Sequence, residues 1–107
     1  MITSEKIQGY IVLTGIVEKE GSQFVSYCRE LGTSSCDATI DEAFKNLWDA
    51  VDVHLKALEE TGQLSQVLAE KHIRIDLWPP PDEPFIKIPM GKICTAYQIK
   101  VPVPVPA

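Results

Sequence analysis

The chain is short of basic charge, cysteine and long apolar runs, and each shortage removes a class of function. Its 107 residues hold 10 Lys and Arg against 15 Asp and Glu, a formal net charge of −5. Nucleic-acid affinity is largely electrostatic and grows with the cationic side chains that reach phosphates, so this balance argues against direct nucleic acid binding and favours a basic protein partner. No apolar run approaches the ~20 residues that span a bilayer, and Met1-Ile2-Thr3-Ser4-Glu5-Lys6 lacks the basic start and apolar middle of a signal peptide. A cytoplasmic protein without membrane association is expected. The three cysteines, Cys28, Cys36 and Cys94, form an odd set with no Cys-x-x-Cys spacing and no closely spaced His. That pattern indicates neither a disulfide framework nor a zinc site, and unpaired thiols acting as small apolar groups are the simpler reading. No cofactor or metal is implied.

What is present suits one globular domain. Hydrophobic residues make up 45% and charged residues 23% of the chain, enough for a modest core but not for two. We read residues 1–107 as a single domain with a core over 8–75 and a Pro-rich strand extension over 76–107, without internal repeats. From Tyr10 to Glu18 both parities are apolar, Ile11, Leu13 and Val17 on one face and Tyr10, Val12 and Ile16 on the other. Such a strand is covered on both faces. Lys19-Glu20-Gly21-Ser22 turns the chain, Gln23 to Cys28 returns antiparallel, and Thr33 to Cys36 can add a short third strand.

A long helix follows. Thr39 is placed as its N-cap, with Glu42 three residues later completing a capping box, and the helix runs from Ile40 to Glu60 with Gly62 as terminator. Ile40, Ala43, Phe44, Leu47, Val51, Leu55 and Leu58 form one stripe, the expected sheet-facing side. Asp41, Asp49, Asp52, Glu59 and Glu60 make the other surface acidic, and Ala50, Val53 and Ala57 form a small apolar strip suited to self-association. Leu64 to Lys71 reads as a second, short helix and His72 to Trp78 as a strand, before Trp78-Pro79-Pro80-Pro81-Asp82-Glu83-Pro84 forces an extended connector. Phe85 to Pro89 and Ala96 to Val105 supply two further strands. In the last, Pro102, Pro104 and Pro106 withdraw donors from one edge, so we expect an edge strand whose outer side is blocked against strand addition. The fold class is α+β, an antiparallel β-β-β sheet packed on a long helix, then a short helix and C-terminal strands.

The segment Cys28-Arg29-Glu30-Leu31-Gly32, with Thr39, Glu42-Ala43, Asn46-Leu47 and Asp49-Ala50, resembles the HicB-like antitoxin family. Its pattern is a Cys/Ala-Pro-Glu-Leu-x-Gly run, a Gly-Asp-Thr turn and a Glu-Glu-Ala helix start on a degenerate RNase H-like fold. Arg29 stands in place of the proline and Asp37-Ala38 in place of the Gly-Asp. The resemblance covers about the first two thirds of the chain. It implies a non-enzymatic antitoxin-type protein that occludes a small basic HicA-type ribonuclease. The family's separate C-terminal DNA-binding segment has no counterpart, since short-helix and Pro-rich strand patterns follow Gly62. The alternative is a stand-alone oligomeric scaffold or small-ligand module.

Catalysis finds little support in the residues. Two-metal chemistry requires converging carboxylates, and the first strand contains none. His54, on the apolar side of the helix, and His72, at the start of a strand, are structural in this reading, although a Cys–His pair of Cys28 or Cys36 with His54 is geometrically allowed. Tyr27, Arg29, Trp48, Asp49 and Asp52 are the candidate partner-binding residues, because aromatic and Arg side chains dominate interface energies. A homodimer or higher homo-oligomer is expected.

Overall fold

The computed structural model describes residues 8–82 and 92–102. The elements run β1 (Gln8–Glu20), β2 (Gln23–Cys28), β3 (Ser34–Asp37), α1 (Ile40–Glu60), α2 (Leu64–Glu70), β4 (Asp76–Leu77) and β5 (Ile93–Pro102). They form an α+β fold in which one antiparallel sheet packs against α1. β1 and β2 meet at Glu20↔Gln23, leaving Gly21 and Ser22 as a tight turn. Gly21 has φ 63, the left-handed backbone that such hairpin turns require.

β1 is the central strand, and its two edges are used differently. β5 lies along one edge in unbroken register from Gln8↔Pro102 to Val17↔Ile93. The other edge is shared, with β2 covering Gly15 to Glu20 and β4 covering only Gly9 and Tyr10. β3 adds to the outside of β2, from Phe24↔Asp37 to Tyr27↔Ser34.

Side chains alternate across this sheet. On one face Ile11 and Leu13 of β1, Cys28 of β2 and Val101 of β5 join Leu47, Val51 and Leu55 of α1 and Leu64 and Leu68 of α2 in a single core. The opposite face of β1 is buried too, at Tyr10, Thr14 and Ile16, as its apolar residues at both parities predict. Part of its cover is the segment after β4. Trp78, joined to Pro79 by a cis peptide, places its ring 4.9 Å from Lys100 Nζ. Pro81 C=O then accepts a bond from Gln98 Nε2 at 3.2 Å. The proline run therefore crosses from β4 over β1 to β5.

Several expectations need correction. Thr39 caps α1, its Oγ1 accepting from Glu42 N–H at 3.1 Å, but the exposed Glu42 carboxylate makes no return bond. The strand foreseen at His72 to Trp78 shrinks to Asp76–Leu77. There α2 ends with His72 at φ 56, and Ile73 N–H reaches back to Leu68 C=O at 2.9 Å. This helix-ending motif consumes the residues that would have extended the strand. The last strand begins three residues before the expected Ala96, at Ile93. Its proline block therefore covers only the C-terminal end, at Pro102. Phe85 to Pro89 and Val103, Pro104, Val105 and Pro106 lie outside the described residues.

Candidate functional site

Trp48 leaves α1 on the side facing β5 and stacks on Tyr97, ring centroids 4.6 Å apart and planes 22° from parallel. The pair exists because Gly15 has no side chain. A Cβ there would stand 2.6 Å from the Trp48 ring, far inside contact distance, so the glycine lets the indole lie flat over β1 and reach β5. Tyr97 OH donates to Asp52 Oδ2 at 3.0 Å and sits 3.2 Å from Oδ1, fixing a carboxylate that is otherwise exposed. Burial first, and then the Asp52 bond and the negative field of Asp52 and Asp49, push the Tyr97 phenol above its ordinary value. It therefore stays a donor at neutral pH. Asp49, also exposed, adds a second carboxylate one turn earlier.

Tyr27 and Arg29 do not join this group. Tyr27 pairs with Ile16, and by alternation both side chains lie on the face away from α1. Arg29 Nη2 donates to Thr14 Oγ1 at 3.0 Å and lies 3.5 Å from Glu30 Oε2. The five candidate partner residues thus divide into Trp48, Asp49 and Asp52 on the helix side and Tyr27 and Arg29 on the opposite face. No single flat partner covers both.

The Cys28-Arg29-Glu30-Leu31-Gly32 segment has a structural task. β2 leaves the sheet at Cys28, while β4 begins only opposite Tyr10, so this edge of β1 lacks a neighbouring strand between them. Arg29 N–H bonds Thr14 C=O at 2.9 Å. Glu30 Oε1 accepts the Thr14 N–H at 2.7 Å and Oε2 the Thr14 Oγ1 proton at 2.9 Å. The carboxylate stands in for a strand. Gly32, at φ 78, closes the turn, with its N–H on Cys28 C=O at 2.9 Å.

The other candidates stand apart. Val53 is 70% exposed, with Ala57 exposed and Ala50 half-buried beside it on the outer side of α1. His54 is exposed rather than on the apolar side, because Val51 and Leu55 take the core positions. Its Nδ1 lies 3.5 Å from Thr33 Oγ1. His72 is exposed at the end of α2. Burial raises the Cys28 thiol to about 11, and its Sγ donates to Glu30 Oε1 at 3.8 Å. A thiol held neutral in this way is a poor nucleophile. Cys36 is exposed and Cys94 half-buried. Among the described residues, no group of three His, Cys, Asp or Glu could hold a metal ion, and no helix is long and apolar enough to cross a membrane.

The site geometry therefore centres on Trp48, Tyr97, Asp49 and Asp52. Comparison with family models, curated proteins and solved structures finds no match. Sequence reasoning missed Tyr97, which lies 49 positions beyond Trp48. The available signal was Gly15, a residue without a side chain inside the largely apolar run from Tyr10 to Val17, which marks a close approach.

Proposed function

We propose that this protein is a non-enzymatic, HicB-like antitoxin-type module that binds and occludes a small basic protein of the HicA ribonuclease type through Trp48, Tyr97, Asp49 and Asp52. The observation that carries this reading is the pairing of two exposed carboxylates with a stacked aromatic pair whose phenol holds Asp52 in place. An arriving guanidinium or ammonium meets charge and a flat ring together, and a preorganised acceptor loses less freedom on binding. The net charge of −5 favours encounter with a basic protein, an attraction that salt weakens. The signature at Glu30 and Thr39 supports the family reading through turn and cap chemistry.

The test is inhibition. A HicA-type ribonuclease is assayed for RNA cleavage with increasing amounts of this protein. Loss of cleavage at a fixed stoichiometry is expected, with RNA left unbound by this protein. Undiminished cleavage, or cleavage of RNA by this protein itself, contradicts the proposal. The alternative, an oligomeric module without a toxin partner, is favoured by the outer edge of β5, where no described strand pairs.

A further inference from the structure

The direction of every hydrogen-bonding group on β5 follows from bonds made on the far side of β1. Thr14 N–H and C=O bond Glu30 and Arg29, and Gln8 C=O accepts from Trp78 N–H. These even-numbered residues of β1 therefore face the β2 and β4 edge, and its odd-numbered residues face β5. The register pairs odd with odd, Gly9↔Val101 through Val17↔Ile93, without a bulge. In an antiparallel ladder, N–H and C=O of one residue point to the same edge and neighbours to opposite edges. Ile93, Thr95, Tyr97, Ile99 and Val101 are thus spent on β1, while Cys94, Ala96, Gln98 and Lys100 turn both groups outward. Pro102 follows in the outward set and ends the run of donors.

Among the described residues, the edge from Cys94 to Lys100 lacks the usual protections. Edge strands are normally short, bulged, charged or proline-bearing along their length. β5 has 10 residues and one charge, Lys100, whose ammonium lies over Trp78. Among the described residues no strand pairs with its outer side.

We infer that the outer edge of β5 is a self-pairing surface, occupied by β5 of a second copy running antiparallel about a twofold axis at Tyr97. The donor inventory selects this register. With Tyr97 opposite its twin, Ala96 faces Gln98 and Cys94 faces Lys100 of the other copy, so every outward residue before Pro102 bonds a residue that has an N–H. Centring on Gln98 instead sets Cys94 against Pro102 and loses a donor at each end. The Tyr97 register also places no like charges opposite one another, and it sets Ile93, 49% exposed, against Val101. Both α1 helices lie on one face of the joined sheet, with the two Tyr97–Asp52 pairs flanking the axis. The occupant is a second copy because the edge is complementary to itself in this register. The strip of Ala50, Val53 and Ala57 takes no part.

Sedimentation of the full chain over a range of concentrations reads the assembly. The expected particle has twice the 11.9 kDa mass of one chain. Ala96→Pro removes an outward N–H and no β1 bond, and is expected to raise the dimer dissociation constant about tenfold or more, whereas Val53→Glu leaves it unchanged. A second measurement does not depend on how Ala96→Pro folds. In a Cys36→Ser/Cys94→Ser background, Tyr97→Cys is expected to form an intermolecular disulfide under mild oxidation, since twins opposite each other hold their Cβ atoms about 5 Å apart. Ile99→Cys is not, because its twin lies more than ~13 Å along the ladder. A monomer at all concentrations, dissociation by Val53→Glu, or cross-linking at Ile99→Cys but not at Tyr97→Cys would overturn the proposal.

Discussion

Glu30 shows how one side chain maintains a sheet where the chain itself has turned away. Thr14 is fully buried, and its N–H and hydroxyl both end on the Glu30 carboxylate. Glu30→Ala leaves a buried backbone donor without its acceptor, so chemical denaturation is expected to show a loss of roughly 1–3 kcal/mol, while Glu30→Gln, which retains one acceptor, loses less. Cys28 beside it sets an alkaline limit. Its thiol titrates at the ordinary 9.0 in the unfolded chain but near 11 when buried, so the unfolded state releases its proton first as pH rises. The stabilisation is complete below pH 9 and is lost as pH climbs toward 11, by about 2–3 kcal/mol. Tyr97, also raised, adds to the fall above pH 10. Urea unfolding between pH 8 and 11 is expected to show this decline, and Cys28→Ala to flatten its lower part.

At the scale of elements, the distance between α1 and the sheet is set at Gly15. A methyl there collides with the Trp48 ring, and overpacking of this kind costs about 1–3 kcal/mol. Gly15→Ala is expected to lower the melting temperature and to weaken the near-ultraviolet dichroism of the Trp48–Tyr97 stack, with far-ultraviolet signal retained. An unchanged aromatic signal would show that the stack does not depend on Gly15. The elements themselves were largely legible. Thr39 and the 3.6-residue stripe from Ala43 to Leu55 define α1 at Ile40–Glu60, and the alternation of Gln23 to Cys28 defines β2. Local chemistry sufficed there because caps and periodicity act within a few residues. It failed at His72, where a non-glycine residue takes the left-handed position that ends α2, a conformation usually marked by Gly. It fell short again at Ile93, since nothing local says that β5 continues back as far as β1 can pair with it.

At the scale of the whole molecule, the site depends on the meeting of distant segments. Trp48, Asp49 and Asp52 were visible as an acidic and aromatic part of α1, but their anchor, Tyr97, is brought there only by the β1–β5 register. The β1–β2 register puts Tyr27 on the other face, where Arg29 also bonds Thr14, a division that sequence order hides because residues 27 and 29 precede α1 by only a turn and the short β3. In the two proposals one sheet and one helix carry separate tasks, an acidic and aromatic surface for a basic protein and, on β5, an outer edge unpaired among the described residues for a second copy. Calorimetric titration with a HicA-type protein, at low and high salt, tests the first of these most directly. A saturable complex that weakens as salt rises, and about tenfold on Asp49→Asn/Asp52→Asn substitution, is the predicted result. No heat of binding, or an affinity indifferent to both salt and substitution, would contradict it.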